Sequence, residues 1–135
     1  MGSLSREQTR PKANVVRNPD LRVEHPEPDR AVVVLAGEHD LSTAAELRTL
    51  LAQLVDENRV VVIDLSAARF ADSMTLNVLV QAKVAADARD CRLRVQMGPD
   101  ALLHRLFEVA GLIDAMEVVA TREQALDGSE RPQAA

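Results

Sequence analysis

Tryptophan and tyrosine are absent from these 135 residues, and Phe70 and Phe107 are the only aromatic side chains. The chain therefore has no stacking platform for nucleic-acid bases, no aromatic cage for a quaternary ammonium and no rings to face a sugar. Cys91 stands alone, which excludes an internal disulfide framework and gives no paired-thiol redox or zinc signature; a reducing compartment fits. Positive charge is scarce too, with 16 Lys and Arg against 21 Asp and Glu for a net charge of −5. No predicted face concentrates it, so nucleic acid is not an expected partner. The longest apolar run, Ala31–Ala36, is far short of the ~20 residues that span a bilayer, and the first residues lack the apolar stretch of a signal peptide. A cytoplasmic protein without membrane association is expected. His25 and His104 do not pair with another ligand at metal spacing, so neither a metal nor another cofactor is expected.

A hydrophobic content of 47% over this length suffices for one core of ordinary size and not for two. Residues 1–20 mix charge, Pro11 and Pro19 without apolar period and read as a flexible arm. The domain is expected over 21–127, with a polar tail from 128 to 135. Leu21–Glu24 alternates like an edge strand, His25-Pro26-Glu27-Pro28 imposes an extended turn, and Ala31–Ala36 reads as a second strand forming a hairpin with the first. Gly37-Glu38-His39-Asp40 reads as a loop. Thr43-Ala44-Ala45-Glu46 has the pattern of a capping box, opening a helix with Leu47, Leu50, Leu51, Leu54 and Val55 on one face and an end near Asn58.

Val60–Ile63 is a β-branched run bounded by Asp64, as expected of a strand covered on both faces. Leu76, Leu79, Val80 and Val84 then recur at helical spacing, so Asp72-Ser73 sits at a helix start, where a hydroxyl serves as a cap. A phosphate on Ser73 would face free backbone N–H groups and the positive end of the helix dipole. Arg92–Met97 reads as a strand with Leu93 and Val95 on one face. Asp100 is placed to cap a short helix carrying Leu103, Leu106, Phe107 and Ala110, with Gly111 as its left-handed terminus. Ala115–Val119 reads as a last strand, and Thr121-Arg122-Glu123-Gln124 as a second capping box opening a helix that stops near Gly128. The alternation predicts an α/β fold, with the loops 37–42 and 66–73 together at the carboxyl ends of parallel strands. His39, Asp40 and Ser73 invite a hydrolase reading, but the chain has neither a G-x-S-x-G elbow nor a Gly-rich oxyanion loop.

Gly37-Glu38-His39-Asp40 followed by Thr43-Ala44, then Asp64-Leu65, Phe70, Asp72-Ser73, Arg105-Leu106-Phe107-Glu108, Gly111-Leu112 and Glu123-Gln124-Ala125-Leu126 fall in the order and spacing of a STAS domain. From Leu21 to Leu126 the chain resembles the stand-alone bacterial anti-sigma factor antagonists. The resemblance implies the STAS fold: a mostly parallel mixed sheet with an antiparallel N-terminal strand and about four helices packed against it. It also implies a non-enzymatic, partner-switching regulator of transcription in a stress response. In that family the serine at the position of Ser73 is phosphorylated by a partner that is both anti-sigma factor and serine kinase. The unphosphorylated antagonist binds that partner and releases the sigma factor, and a serine phosphatase restores it. By the same resemblance Asp40, Asp72, Ser73, Met74 and Thr75 meet the partner. The family pattern is commonly Asp-Ser-Ser-Gly or Asp-Ser-Thr-Gly; here Asp72-Ser73-Met74-Thr75 puts a branched side chain in place of glycine, and His39 replaces a usual apolar residue. The alternative is an unphosphorylated STAS scaffold, or a ligand- or nucleotide-sensing module, in which Ser73 is only a cap.

Overall fold

The computed structural model describes residues 20–39 and 41–128; the expected arm up to residue 19, the tail from 129 and Asp40 lie outside the described residues. In chain order come β1 (Leu21–Glu27), β2 (Arg30–Leu35), β3 (Gly37–His39), α1 (Leu41–Glu57), β4 (Val60–Asp64), β5 (Ala68–Ala71), α2 (Ser73–Asp87), β6 (Arg92–Gln96), α3 (His104–Val109), β7 (Val118–Val119) and α4 (Arg122–Leu126). Among the described residues, five strands form the main sheet in the order β1-β2-β4-β6-β7, and β3 and β5 form a separate two-stranded piece. β1 runs antiparallel to β2, while β2, β4, β6 and β7 are mutually parallel.

The β-branched run places β4 at the centre, where every one of its residues is buried. Alternation then sorts the strand residues between two layers. Ala31, Val33 and Leu35 of β2, Val61 and Ile63 of β4, and Leu93 and Val95 of β6 join Leu47, Leu51 and Leu54 of α1, Leu79 of α2 and Phe107 of α3 in the larger core. The intervening Val32, Val34, Val60 and Val62 pack with Ala125 of α4 on the opposite face. The apolar stripe of α1 is thus turned onto the sheet, and α1 and α2 lie side by side across it.

The five-residue α4 is too short to hold its position by propensity alone, and polar contacts fix it instead. Its start carries the capping box expected at Thr121 and Gln124. Arg122 donates from Nη2 to Asp64 Oδ2 at 2.8 Å, from Nη1 to Glu24 Oε1 at 3.1 Å and from Nε to Gln96 Oε1 at 2.7 Å. At the other end, Arg94 Nη1 donates to the carbonyls of Gln124, Ala125 and Asp127 at 3.1, 3.0 and 2.7 Å, and Arg30 Nε reaches Leu126 O at 3.0 Å. Carbonyls left over at a helix end thus meet cations, as their partial negative charge favours.

Glu24 adds a pH dependence. Its carboxyl is held below the usual 4.5, first by the hydrogen bond from Arg22 and then, against the opposing effect of burial, by Arg122. A carboxylate depressed on folding contributes stability above its unfolded value, and that contribution fades as pH falls through the folded one. Glu24→Gln is therefore expected to be slightly less stable than the parent protein at neutral pH. The difference in urea midpoint should narrow as pH falls below the carboxyl's ordinary value and through its lowered folded one; a gap unchanged by acid would place its origin elsewhere.

Local departures from the expected elements have local causes. β1 continues through His25 and Pro26 to Glu27, with its register interrupted between Glu24 and Glu27. α1 begins at Leu41, so Thr43 lies inside the first turn and not at its cap. Asp100 caps nothing in α3: successive turns bond Ala101 N to Gly98 O and His104 N to Ala101 O, and the N-cap is Leu103 without a side-chain bond. Gly111 does take a positive φ of 74° after α3. The last strand shrinks to two residues because Glu117 turns the chain with φ 49°. Glu117 accepts from the buried Lys83 Nζ at 2.6 Å. Cys91 is buried, and that burial pushes its thiol up to about 11 despite the nearby Lys83 charge, which makes it a structural thiol.

Candidate functional site

The two segments expected to converge do so through a ladder the alternation did not indicate. Gly37–His39 and Ala68–Ala71, both read as loops, pair in parallel, with Gly37 opposite Ala68, Glu38 opposite Phe70 and His39 opposite Ala71. Gly37 has φ 73°, a conformation that costs glycine nothing and lets the chain leave β2 sharply. Its N–H donates to Ala67 O at 3.0 Å, and beyond β5 the Asp72 N–H donates to His39 O at 3.1 Å. On the neighbouring strand, Asp64 Oδ1 accepts from Ser66 N at 2.9 Å and tightens the turn leading to β5.

At the start of α2 the cap is Asp72 and not Ser73. Asp72 is extended (φ −83°, ψ 177°), and its Oδ1 accepts from Thr75 N at 2.9 Å while its carbonyl accepts from Leu76 N at 3.0 Å. A carboxylate here satisfies a free N–H and complements the helix dipole. Ser73, relieved of capping, is the first residue of the helix and is exposed. Met74 beside it is 41% exposed, and Phe70, two residues before Asp72, is 50% exposed. Exposed aromatic rings are enriched at contact surfaces, and sequence reading had Phe70 only as part of a pattern. Asp40 is outside the described residues, so the structure does not place it; the residues on either side, His39 and Leu41, end β3 and begin α1.

Thr75 points inward. It is 1% exposed, and its Oγ1 has no hydrogen-bond partner. Burying a hydroxyl without a partner costs free energy that an isosteric methyl avoids. Thr75→Val is expected to raise stability by about 1 kcal/mol, read as an increase in denaturant midpoint at constant slope. A lower midpoint would show that the hydroxyl is satisfied in solution. Its burial also keeps Thr75 from being a direct contact or a modification target, so of the two hydroxyls in this turn only that of Ser73 is accessible.

The histidine of the hydrolase reading is not available for catalysis. His39 is 1% exposed; its Nε2 lies 2.8 Å from Ala36 O, which can only accept, so Nε2 carries the proton. Nδ1 lies 3.4 Å from Thr43 Oγ1, where the neutral ring can accept. Among the described residues, no group of three His, Cys, Asp or Glu stands close enough to hold a metal ion, and no helix is long and apolar enough to cross a membrane.

Comparison with known proteins gives this geometry its context. The family described as "Mlab, STAS domain" matches residues 24–120. An anti-sigma-B factor antagonist of Listeria monocytogenes is 33% identical over 102 residues, 75% of this chain and 89% of that protein. The crystal structure of an anti-sigma factor antagonist from Mycobacterium paratuberculosis superposes with a TM-score of 0.67 at 28% identity, covering 82% of this chain and 96% of that one. The Bacillus cell fate determinant SpoIIAA in its phosphorylated form shares the fold, with a TM-score of 0.64 at 19% identity over 79% of this chain and 96% of that one. A mixed sheet with one antiparallel outer strand, a helix opening on Asp72-Ser73 and a matching partner across most of the chain make this protein a member of the STAS domain family, on the branch of the anti-sigma factor antagonists.

Proposed function

We propose that the protein binds an anti-sigma factor that is also a serine kinase, in doing so releases a sigma factor, and is switched off when that kinase phosphorylates Ser73. The observation that carries the reading is the division of labour at the start of α2: Asp72 does the capping, and Ser73 is left exposed with no structural task. A serine needed as a cap would be costly to modify. A serine beside the cap is free to change state. The phosphoserine would bring about −1.5 to −2 charges, tolerated by the helix N-terminus but set beside the Asp72 carboxylate.

The contact surface in this reading comprises Asp40, Asp72, Ser73 and Met74, with Phe70 added for its exposure. Thr75 stays in it only as the buried support of the turn. No step makes or breaks a bond in a substrate, so the protein is a regulator and not an enzyme, and a serine phosphatase is needed to reset it. The groove of about 550 Å³ beside α4, lined by Glu27, Glu123, Gln124, Leu126 and Asp127, is a poor place for a nucleotide. Three carboxylates there repel a phosphate.

The test is to incubate the protein with the cognate anti-sigma kinase and ATP and to locate the modification by mass spectrometry. One phosphate on Ser73, absent from Ser73→Ala, is the expected result. A stoichiometric phosphate on Ser73→Ala, or none on the parent protein, refutes the reading.

A further inference from the structure

We propose that His39 is a positioning residue, a buried clasp that holds the entry to α1 and the start of α2 in fixed relation. The inference extends the reading of the Ser73 surface, although its first measurement does not depend on that reading. Three segments meet at this one residue. The ring donates from Nε2 to Ala36 O, at the sharp departure from β2. Its Nδ1 faces the Thr43 hydroxyl in the first turn of α1. Its own carbonyl accepts the N–H of Asp72, the residue that caps α2.

An apolar side chain fills such a space without the cost of desolvating two ring nitrogens. What imidazole adds is direction: one donor and one acceptor on opposite sides of a rigid ring, each with a partner. β3 has only three residues and belongs to a two-stranded piece outside the main sheet. Two short strands are marginal by themselves. The ring bonds therefore supply the fixation that an isolated ladder lacks, and they transmit it through the His39 carbonyl to the backbone immediately before Ser73.

Amide hydrogen exchange on the full-length protein reads this directly. In His39→Leu the Asp72 amide is expected to exchange about tenfold faster while amides of β4 and β6 keep their rates. His39→Gln, whose amide nitrogen can reach Ala36 O in place of Nε2, should bring the Asp72 rate back to within about threefold of the parent. An unchanged Asp72 rate in His39→Leu overturns the proposal. So does equal acceleration throughout β4 and β6, or failure of His39→Gln to rescue, since either would make the ring a space-filler. Should His39→Leu not fold, Thr43→Val deletes the second ring contact at constant volume, and an Asp72 amide left at the parent rate in that variant overturns the proposal equally. Affinity for the anti-sigma kinase, measured on the same variants, should fall with the faster Asp72 exchange and recover with it. Faster exchange rescued by His39→Gln at constant affinity leaves the clasp standing and refutes instead the placement of the partner surface at Ser73.

Discussion

Ser73→Asp is expected to weaken binding to the anti-sigma kinase by roughly five- to 150-fold, on the order of 1–3 kcal/mol, while the melting temperature stays within a few degrees. The two halves have separate origins. An acidic side chain at the first position of α2 lies near free N–H groups and the positive end of the dipole, so the folded state accepts it. At an interface the added charge, next to that of Asp72, must be desolvated and set against the partner's surface, costs that act only in the complex. Ser73→Ala should bind like the parent protein and resist phosphorylation. Titration calorimetry paired with thermal melts separates the contributions. Equal affinity of the parent protein and Ser73→Asp, with similar melting, would favour a STAS scaffold in which Ser73 carries no signal.

Arg94→Met should lower stability by about 3 kcal/mol, or roughly 10 °C in melting temperature, and leave phosphorylation at Ser73 untouched. Arg94 is 7% exposed, and one of its nitrogens meets three carbonyls at the end of α4. Methionine can fill much of the same space along the sheet but donates nothing, so three carbonyls, that of Ala125 in a buried contact, lose a charged donor at once. α4 would then loosen from the valines beneath it, on the face away from α2. Differential scanning calorimetry gives the magnitude, and a loss under about 1 kcal/mol would mean that water replaces the guanidinium without difficulty.

The elements legible from sequence were those whose signals come from within the element. The β-branched run of β4, the apolar stripe of α1, the Thr121–Gln124 box and the positive φ of Gly111 all follow from a few adjacent residues. What sequence missed depends on partners distant in the chain. β3 and β5 carry no clear alternation, since Gly37 and Glu38 resemble a turn, and become strands only by meeting each other. The Thr43 pattern was misleading because His39 competes for the hydroxyl and the helix starts two residues earlier. At the candidate site, the helix start was readable, but whether Asp72 or Ser73 would cap it was not: both residue types suit the position, and only the extended backbone of Asp72 decides. His39 stood out as a departure from the family pattern, but its role required knowing that the ring was buried with a carbonyl beside it.

The margins of the main sheet bear on how the molecule meets other copies of itself. One margin is β7, two residues long. The other is β1, where Pro26 has no N–H to offer, Arg22, Glu24 and Glu27 place charge along the strand, and pairing loses register between Glu24 and Glu27. Among the described residues neither margin presents a long, flat row of donors and acceptors on which a foreign strand can add. Growth of the main sheet from molecule to molecule is thus obstructed at both described margins by features remote from α2.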